Sequence, residues 1–293
     1  MTTRVRETAA AAGLPASRHE QLIRMVEAEE RARQRRERIR TAVGRLVFAA
    51  VFFLVWELAS GRIFDQFFVS KPSRIAASLW AMLVKEELLY HIQFTIIEAL
   101  GGYAIGAGAG LAVGFLLSRL DFVYRLVEPF VIAFYGIPRI ALAPLFILWF
   151  GIGISSKIAV AAVMVFFIVL INTIAGIRST PPQLVQVARV MGASEWDLMR
   201  KVIFPAATPF IIAALQITVP QAMIGAIVGE FISANRGAGH LINRAAGWLD
   251  TPGLFAGIFA LLVVVLLMNF AITMLGNYLM RWNPKPVNVR DAL

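Results

Sequence analysis

The sequence predicts an all-α integral membrane protein with about six transmembrane helices. Hydrophobic residues make up 59% of the 293 residues and charged residues only 16%, which is far more apolar than a soluble globular domain. The apolar residues form runs at about 46–60, 92–118, 126–150, 157–177, 209–232 and 254–280. A helix needs roughly 20 residues to cross a bilayer. The first run is short by this measure, and the other five are long enough.

Residues 1–45 are predicted to form a basic, partly helical arm before the first apolar run. The segment to about Pro15 is expected to lack fixed structure, whereas residues 16–45 favour a helix. Arginines crowd the end of this arm, at Arg31, Arg33, Arg35, Arg36, Arg38, Arg40 and Arg45. Such a cluster suits a positive-inside topology signal, or contact with anionic lipid headgroups or a regulatory partner. No aromatic residue alternates with these arginines, so we expect no binding to nucleic acid.

The distribution of basic residues predicts which side of the membrane each loop faces. With the amino terminus inside, sixteen Lys and Arg residues flank the spans on the inner side and seven on the outer side, counting the arm from residue 31. This bias follows the positive-inside rule. Both termini, including a tail at 286–293, and a polar segment at 180–209 are therefore expected in the cytoplasm.

The second span carries four glycines spaced four residues apart: Gly102, Gly106, Gly110 and Gly114. Residues at this spacing lie on one face of a helix, and small residues there let a neighbouring helix approach closely in lipid. This face is therefore a predicted helix-packing site. The pattern suits a helix that slides against its neighbour and a static contact equally well.

The third span is predicted to be kinked or discontinuous because three prolines interrupt it, Pro138 among them. Such breaks are tolerated at membrane depth only against protein or a water-filled cavity. Arg139, beside this proline, is costly in lipid without a partner. It is expected either to face an aqueous path, where it would attract an anion, or to form an ion pair with Glu128 or Glu230.

Few polar residues occur in the remaining spans. Asn172 stands alone in the fourth span and is expected to bond a neighbouring helix. Glu230, near the outer end of the fifth span, is expected to bond a loop backbone, to pair with Arg139 or to act in gating. The candidate residues of a path through the bilayer are Pro138, Arg139, Asn172, Gln216, Gln221 and Glu230.

The segment 180–209 is a polar island between two long apolar runs, and it predicts two short amphipathic helices. Thr180 is a suitable N-cap for the first helix, and Gly192 is a suitable residue for its C-terminal end. Ser194 followed by Asp197 resembles a capping box that starts the second helix, which Pro205 is expected to close. Both helices carry an apolar stripe, which is typical of helices that lie at a surface. A tight bend at Gly192-Ala193 is expected to join them.

These residues resemble a loop found in the permease subunits of bacterial ABC importers. That loop carries E-A-A, three residues, G, nine residues and I-x-L-P, and every spacing is kept here at Gln186-Val187-Ala188, Gly192 and Val202-Ile203-Phe204-Pro205. The departures from the pattern are Gln186 for Glu, Val187 for Ala, Val202 for Ile and Phe204 for Leu. A second stretch, at 138–153, and the sequence around Glu230 resemble the branch of this family that imports sulfonates, taurine and nitrate.

The resemblance implies a transmembrane domain at 46–285 whose cytoplasmic loop forms coupling helices. In the family these helices dock on the ATPase subunits, and the residues implied here are Gln186, Val187, Ala188, Gly192, Ala193, Ser194, Trp196 and Pro205. Two ABC ATPase subunits that bind ATP and Mg, a second permease copy and an extracytoplasmic solute-binding protein are the implied partners. The implied location is the bacterial cytoplasmic (inner) membrane, and the implied mechanism is alternating access.

The chain itself carries no recognisable catalytic or metal site. It lacks the phosphate-binding G-x-x-x-x-G-K-[ST] and the nucleophile motif G-x-S-x-G, and its three histidines are far apart, without H-E-x-x-H. We therefore expect no enzymatic activity and no cofactor bound by this chain. An ion-coupled secondary carrier and a membrane scaffold are the alternatives to an ABC permease. The expected solute is a small anion such as a sulfonate, taurine or nitrate, with aromatic carboxylates or vitamin precursors as alternatives.

Overall fold

The computed structural model describes residues 16–85, 87–233 and 235–280 of the chain. These residues form helices joined by turns, and the only β-type pairing among them is one isolated bridge between Ser60 and Phe64. Five of their helices are long and apolar enough to cross a membrane, and a sixth span results if one bent helix pair counts as one. The prediction of an all-α integral membrane protein is confirmed. The predicted tail at 286–293 lies outside the described residues.

The first of two compact units ends at Pro72. Its helix α1 (Ala16–Ala59) runs without interruption from the basic arm into the first apolar run, and the part apolar enough to cross a membrane is Arg35–Ala59. The predicted border between arm and span therefore falls inside one helix. After α1 the chain turns tightly, and the Ser60 hydroxyl donates a hydrogen bond to the carbonyl oxygen of Val69 at 2.6 Å.

The second unit begins at Ser73, at the start of α2, and contains the remaining described helices. In chain order they are α2 (Pro72–Val84), α3 (Glu87–Arg119), α4 (Asp121–Gly136), a 3-10 turn (Arg139–Leu142), α5 (Ala143–Phe150), α6 (Ile154–Arg178), α7 (Pro182–Val190), α8 (Glu195–Leu198), a π-helical turn (Met199–Ile203), α9 (Phe204–Ser233), α10 (Ala238–Gly247) and α11 (Thr251–Leu279). The predicted second to sixth spans correspond to α3, the pair α4 and α5, α6, α9 and α11.

Helices α3, α6 and α9 pack against one another, and their interface holds much of the buried core. Small and β-branched side chains fill it, including Val165, Val169, Ala214, Val219 and Ala222. The glycines at 102, 106, 110 and 114 all lie on the face of α3 that contacts α6. A Cβ atom built at Gly106, for example, would lie 2.3 Å from the carbonyl oxygen of Ala162. The two backbones therefore touch where α3 has no side chains.

The third span is broken, as its prolines predict. The segments Asp121–Gly136 and Arg139–Phe150 meet at an angle of 87°. The break lies at Ile137 and Pro138, where the backbone is extended. Ile137 is extended because a residue before proline avoids the helical region. Pro144 is accommodated in the first turn of α5, where the missing N–H costs no helical hydrogen bond.

The first helix of the polar island begins one residue later than the prediction from Thr180. Pro181 is the N-cap of α7, and no side chain bonds the free N–H groups of the first turn. Pro181 lies outside the helical region, with a ψ of 125°. The reason is that Pro182 follows it, and a residue before proline avoids the helical conformation. Thr180 Oγ1 is buried and has no hydrogen-bond partner among the described residues.

The prediction that Pro205 closes the second helix of the island is wrong. Helix α8, the π turn and α9 follow one another without interruption, so one helix runs from Glu195 to Ser233. A proline lacks an N–H and crowds the carbonyl group four residues earlier, which usually breaks a helix. Here the chain widens into a π turn, in which the N–H of Phe204 bonds to the carbonyl oxygen of Met199, and the helix continues through Pro205.

Candidate functional site

The bend in the polar island is a complete Schellman motif. Gly192 follows the end of α7 with a φ of +82°. The N–H of Gly192 bonds to the carbonyl oxygen of Arg189 at 2.9 Å, and the N–H of Ala193 bonds to that of Ala188 at 3.0 Å. These bonds satisfy carbonyl groups that the end of a helix leaves free. A residue with a side chain is strained at this φ, so the turn favours glycine.

Side-chain contacts fix the start of α8 and link it to α7. Ser194 is the N-cap, and its Oγ accepts a hydrogen bond from the N–H of Asp197 at 3.2 Å. The Asp197 carboxylate lies 2.6 Å from Lys201 Nζ, one turn later in the helix. Arg189 and Glu195 form an exposed ion pair of 3.0 Å across the bend. Exposed pairs contribute little stability, so the caps and the Schellman bonds define the shape of the loop.

Large apolar side chains are exposed on this loop. Val190, Met191 and Trp196 have 89%, 82% and 66% of their surface accessible, whereas Leu198 is buried and anchors α8. Of the remaining implied coupling residues, Gln186, Val187, Gly192 and Ser194 are exposed, and Ala188, Ala193 and Pro205 are half-buried. Large apolar side chains that are exposed on a polar loop make this loop a candidate interaction site.

The polar island lies at one end of the helices, and a group of buried polar residues lies at the other. Helix α6 ends at Arg178, just before the island, so its start at Ile154 is at the far end. Helix α9 follows the island, so its end at Ser233 is also at the far end. Lys157 Nζ donates to the carbonyl oxygen of Ser233 at 3.3 Å, which joins these two helix ends.

Glu230 is buried at the far end and holds the loop that follows α9. Its Oε1 accepts a hydrogen bond from the Thr95 hydroxyl at 2.6 Å, and its Oε2 accepts one from the N–H of Gly239 at 2.6 Å. Thr95 Oγ1 in turn accepts a hydrogen bond from the N–H of Ala238 at 2.8 Å. His91 Nδ1 accepts a hydrogen bond from the N–H of Gly237 at 3.0 Å. These bonds tie α3, the end of α9 and the start of α10 together.

Arg139 is half-buried at the break in the third span. Its Nη1 donates to the carbonyl oxygen of Met164 at 3.0 Å, and its guanidinium carbon lies 5.1 Å from the centre of the Tyr135 ring. The ion pair expected with Glu128 or Glu230 is not formed. Glu128 instead accepts a hydrogen bond from a tyrosine hydroxyl of its own helix at 2.7 Å. Within the described ranges, no acid pairs with Arg139.

The other candidate path residues make few contacts with one another. Asn172 donates to the carbonyl oxygen of Ile168 in its own helix at 2.8 Å, so the expected bond to a neighbouring helix is not formed. Gln216 and Gln221 are half-buried on different faces of α9, and Pro138 is exposed at the break. The structure does not join these residues in a hydrogen-bonded group, as far as the described residues extend.

A cavity of about 780 Å³ lies beside the Glu230 network, at the far end from the polar island. Two buried charged residues that sequence reasoning missed, Glu98 and Lys157, form part of its wall. Besides Ser233, Lys157 Nζ bonds to the carbonyl oxygens of Ile152 and Gly153 at 3.0 and 3.2 Å. Lys157 is therefore fully engaged with the backbone.

A signal for this group exists in the sequence. His91, Thr95 and Glu98 follow at spacings of four and three residues, which places three polar side chains on one face of an otherwise apolar helix. That face meets the end of α9, where Glu230 lies. Among the described residues, no group of three His, Asp or Glu side chains has an arrangement that could hold a metal ion.

Comparison with known proteins finds relatives over most of the chain. The profile of the family described as "Binding-protein-dependent transport system inner membrane component" matches residues 102–282. The riboflavin transport system permease protein RibX of Chloroflexus aurantiacus is 34% identical, over 81% of this chain and 88% of that protein. The formylaminopyrimidine transport permease protein ThiX of Halalkalibacterium halodurans is 35% identical, over 82% and 95%. The putative aliphatic sulfonates transport permease protein SsuC of Bacillus subtilis is 32% identical, over 81% and 86%.

Solved structures with the same fold are also transporters. A chain of the MetNI methionine ABC transporter, in inward-facing conformations, has a TM-score of 0.57 and 23% identity, over 68% of this chain and 96% of that one. A chain of an amino acid ABC transporter with histidines has a TM-score of 0.53 and 19% identity, over 69% and 97%. At these identities the likeness concerns the fold.

Proposed function

This chain belongs to the family of binding-protein-dependent transport system inner membrane components, and on that premise we propose that it carries a small organic anion into the cytoplasm by alternating access. It is the permease subunit of an ABC importer, in which ATPase activity resides in separate subunits. We propose as partners two ATPase subunits that bind ATP and Mg, a second permease copy and an extracytoplasmic solute-binding protein.

The exposed apolar surface of the polar island is the observation that carries this proposal. Val190, Met191 and Trp196 project from two short helices whose geometry is fixed by a Schellman motif and an N-cap. Met and Trp are enriched where proteins meet, and a rigid surface loses less entropy on binding than a flexible loop. A groove on each ATPase subunit that accepts these side chains accounts for their exposure.

The continuous helix from the island gives a route for movement. Helix α8 begins in the island, and the same helix reaches Ser233 at the far end, beside the cavity. When ATP binding draws the ATPase subunits together, the docked island moves with them. A displacement of α8 is then carried along one continuous helix to the far end, where Lys157 binds Ser233. This coupling is the basis of the alternating access that we propose.

The proposed charge of the solute rests on Arg139. The named relatives transport riboflavin, a formylaminopyrimidine or aliphatic sulfonates, so their names leave the solute class open. Arg139 lies at a break in a span and has no acidic partner among the described residues. A cation at membrane depth is costly unless it faces water or an anion. A path that passes Arg139 therefore favours anionic solutes such as sulfonates.

We further propose the orientation and division of the chain that the basic residues suggest. Residues 1–45 are a cytoplasmic arm, 46–285 the transmembrane domain of the importer and 286–293 a cytoplasmic tail. The polar island then faces the cytoplasm, where ATPase subunits have access to it, and the cavity faces the solute-binding protein.

The docking proposal is tested by Trp196→Asp. A charged side chain in place of an interfacial Trp loses the apolar contact and must be desolvated, so we expect the affinity for the ATPase subunit to fall about 30-fold or more. The measurement is the amount of ATPase subunit that copurifies with the tagged permease. The matched control is Trp248→Asp, since Trp248 is exposed as well and lies at the far end.

Unchanged copurification with Trp196→Asp would refute the docking role of the island.

The same preparation also tests the alternative that the chain is an ion-coupled secondary carrier. Transport by the permease alone, in liposomes under an ion gradient and without ATPase subunits, would favour an ion-coupled secondary carrier. We expect transport only when ATPase subunits, ATP and the solute-binding protein are present.

A further inference from the structure

The arginines at residues 31–45 form a strongly charged segment of α1. This segment contains seven arginines and a single acid, Glu37, so its net charge is +6. Glu37 lies 3.6 Å from Arg33, and both side chains are largely exposed. An exposed pair of this kind contributes little. The other arginines whose side chains are exposed are Arg35, Arg36, Arg40 and Arg45. The segment therefore carries a high positive charge that its own acid hardly offsets.

The shortness of the first apolar run places these arginines in the headgroup layer of the membrane. A helix rises about 1.5 Å per residue and the hydrocarbon core is about 30 Å thick, so about 20 residues cross it. Counted back from the helix end at Ala59, this length reaches Arg40. The headgroup region adds roughly 5–7 Å on this side, and the Debye length at physiological salt adds about 8 Å. Arg31 is about 14 Å beyond Arg40 along the helix axis, so the whole cluster is within reach of headgroup charges.

The arginine positions are distributed over two opposite sides of α1. Successive residues of an α-helix are rotated by about 100°, so positions three, four and seven apart share a side. One side has Arg33, Arg36 and Arg40, and the opposite side has Arg31, Arg35, Arg38 and Arg45. A protein partner that contacts one face of the helix meets only one of these groups. A layer of lipid headgroups surrounds the helix and meets both.

We propose that the arginines at 31–45 form a binding surface for anionic phospholipids, with guanidinium groups on the phosphates of the surrounding headgroups. Guanidinium N–H groups match phosphate oxygens in charge and geometry. Clusters of this size next to a span are typical of segments that bind anionic lipids. Under the proposed orientation these lipids belong to the cytoplasmic leaflet. The inference goes beyond the proposed function, because it concerns neither the solute nor the ATPase subunits.

The test measures which lipids lie next to this part of α1. The chain has no cysteine, so Ala42→Cys, between Arg40 and Arg45, provides a unique site for a fluorophore. The permease is labelled, assembled with its ATPase subunits and placed in nanodiscs whose two leaflets have the same lipid composition. A small fraction of either phosphatidylglycerol or phosphatidylcholine carries a nitroxide at one fixed position of the acyl chain, which quenches the fluorophore. A basic residue near an anionic surface increases affinity about fivefold, so we expect phosphatidylglycerol to be preferred about fivefold or more.

The matched control is a second label position on the same helix. Leu58→Cys carries the same fluorophore at the other end of α1, and Leu58 is exposed as Ala42 is. Both leaflets of the nanodisc contain the same lipids, so the two labels differ in their neighbouring residues and not in the supply of phosphatidylglycerol. We expect a clearly weaker preference at Leu58→Cys.

Charge variants show whether the arginines cause the preference. Glutamine at positions 33, 35, 36 and 40 together should remove most of the preference at Ala42→Cys. Lysine at the same four positions retains the charge and should retain most of the preference. Raising the salt from about 0.1 M to about 1 M shortens the Debye length from about 10 Å to about 3 Å, so the preference of the wild-type arm should fall.

Four results would overturn the proposal. The first is equal quenching by the two lipids at Ala42→Cys. The second is a preference of the same size at Leu58→Cys, which would be a property of the whole bilayer. The third is a preference that survives in the glutamine variant or is lost equally in the lysine variant. The fourth is loss of the ATPase subunit from the glutamine variant on copurification, which would assign the arm to a protein partner. We expect copurification to equal the wild type, so failure of the lipid surface leaves the docking role of Trp196 as a separate result.

Discussion

A pair of glycine substitutions in α3 tests the packing of the membrane domain. Gly106 and Gly108 lie in the same helix, two residues apart, and both are replaced by alanine. A Cβ atom at Gly106 would lie 2.3 Å from the carbonyl oxygen of Ala162 in α6, whereas one at Gly108 meets no atom within 4 Å. The two variants therefore share their change in helix propensity and differ only in their contact with α6.

The magnitude of the difference follows from this geometry. Ordinary contact begins near 3.4 Å, so a contact of 2.3 Å requires the backbones of α3 and α6 to separate by about 1 Å. A gap of that size forfeits about a quarter to a half of the dispersion energy of the contacting atoms, and overpacking typically costs about 1–3 kcal/mol. Alanine in place of glycine stabilises a helix by about 1 kcal/mol in both variants. Gly106→Ala should therefore be less stable than Gly108→Ala by about 1–3 kcal/mol.

Thermal unfolding of the purified permease in one detergent measures this difference. For a domain of this size, 1 kcal/mol corresponds to a shift of about 2–4 °C in Tm. We expect Gly106→Ala to unfold several degrees below Gly108→Ala, and Gly108→Ala to equal or exceed the wild type. Equal Tm values for the two variants would refute the close contact between α3 and α6.

Two further substitutions examine the polar residues. Glu230→Ala leaves the N–H of Gly239 and the hydroxyl of Thr95 without their acceptor, and each unsatisfied group costs about 1–3 kcal/mol. We expect a lower Tm and faster hydrogen exchange in residues 237–239, with a smaller loss in Glu230→Gln; equal losses in the two variants would contradict the network. Arg139→Gln should reduce uptake of an anionic solute about tenfold or more in proteoliposomes, while copurification of the ATPase subunit is unchanged. Unaltered uptake would exclude Arg139 from the path.

Much of the fold is encoded in local pattern, which explains why it could be predicted. Long apolar runs define the spans because a bilayer requires them. The Schellman bend at Gly192 and the N-cap at Ser194 depend on residues within a few positions, so one sequence suffices to predict them. The broken third span follows likewise from Pro138, which excludes the residue before it from a helix.

Pro205 shows where local rules fail. A proline normally ends a helix, yet a π turn before it lets the helix continue to Ser233. Leu198 before the turn and Ala207 after it are both buried against other parts of the protein. That packing is tertiary and is not readable from the neighbours of Pro205.

The far-end site depends on residues distant in the sequence. Thr95 and Glu230 are 135 positions apart, and His91 and Gly237 are 146 apart. The spacing of His91, Thr95 and Glu98 marks a polar face on α3, but a single sequence does not identify what that face meets. For the same reason the sequence did not decide between the two alternatives for Arg139. The ion pair with Glu128 or Glu230 is not formed, because each of these side chains bonds to another group.

Site-specific cross-linking tests most directly whether the polar island is the surface that the ATPase subunit binds. The chain has no cysteine, so a single cysteine introduced by Met191→Cys provides a unique attachment point for a cross-linker. The matched position is Trp248→Cys, at the far end. We expect Met191→Cys to cross-link to the ATPase subunit in the assembled complex and Trp248→Cys not to do so. A cross-link from Trp248→Cys without one from Met191→Cys would contradict the account.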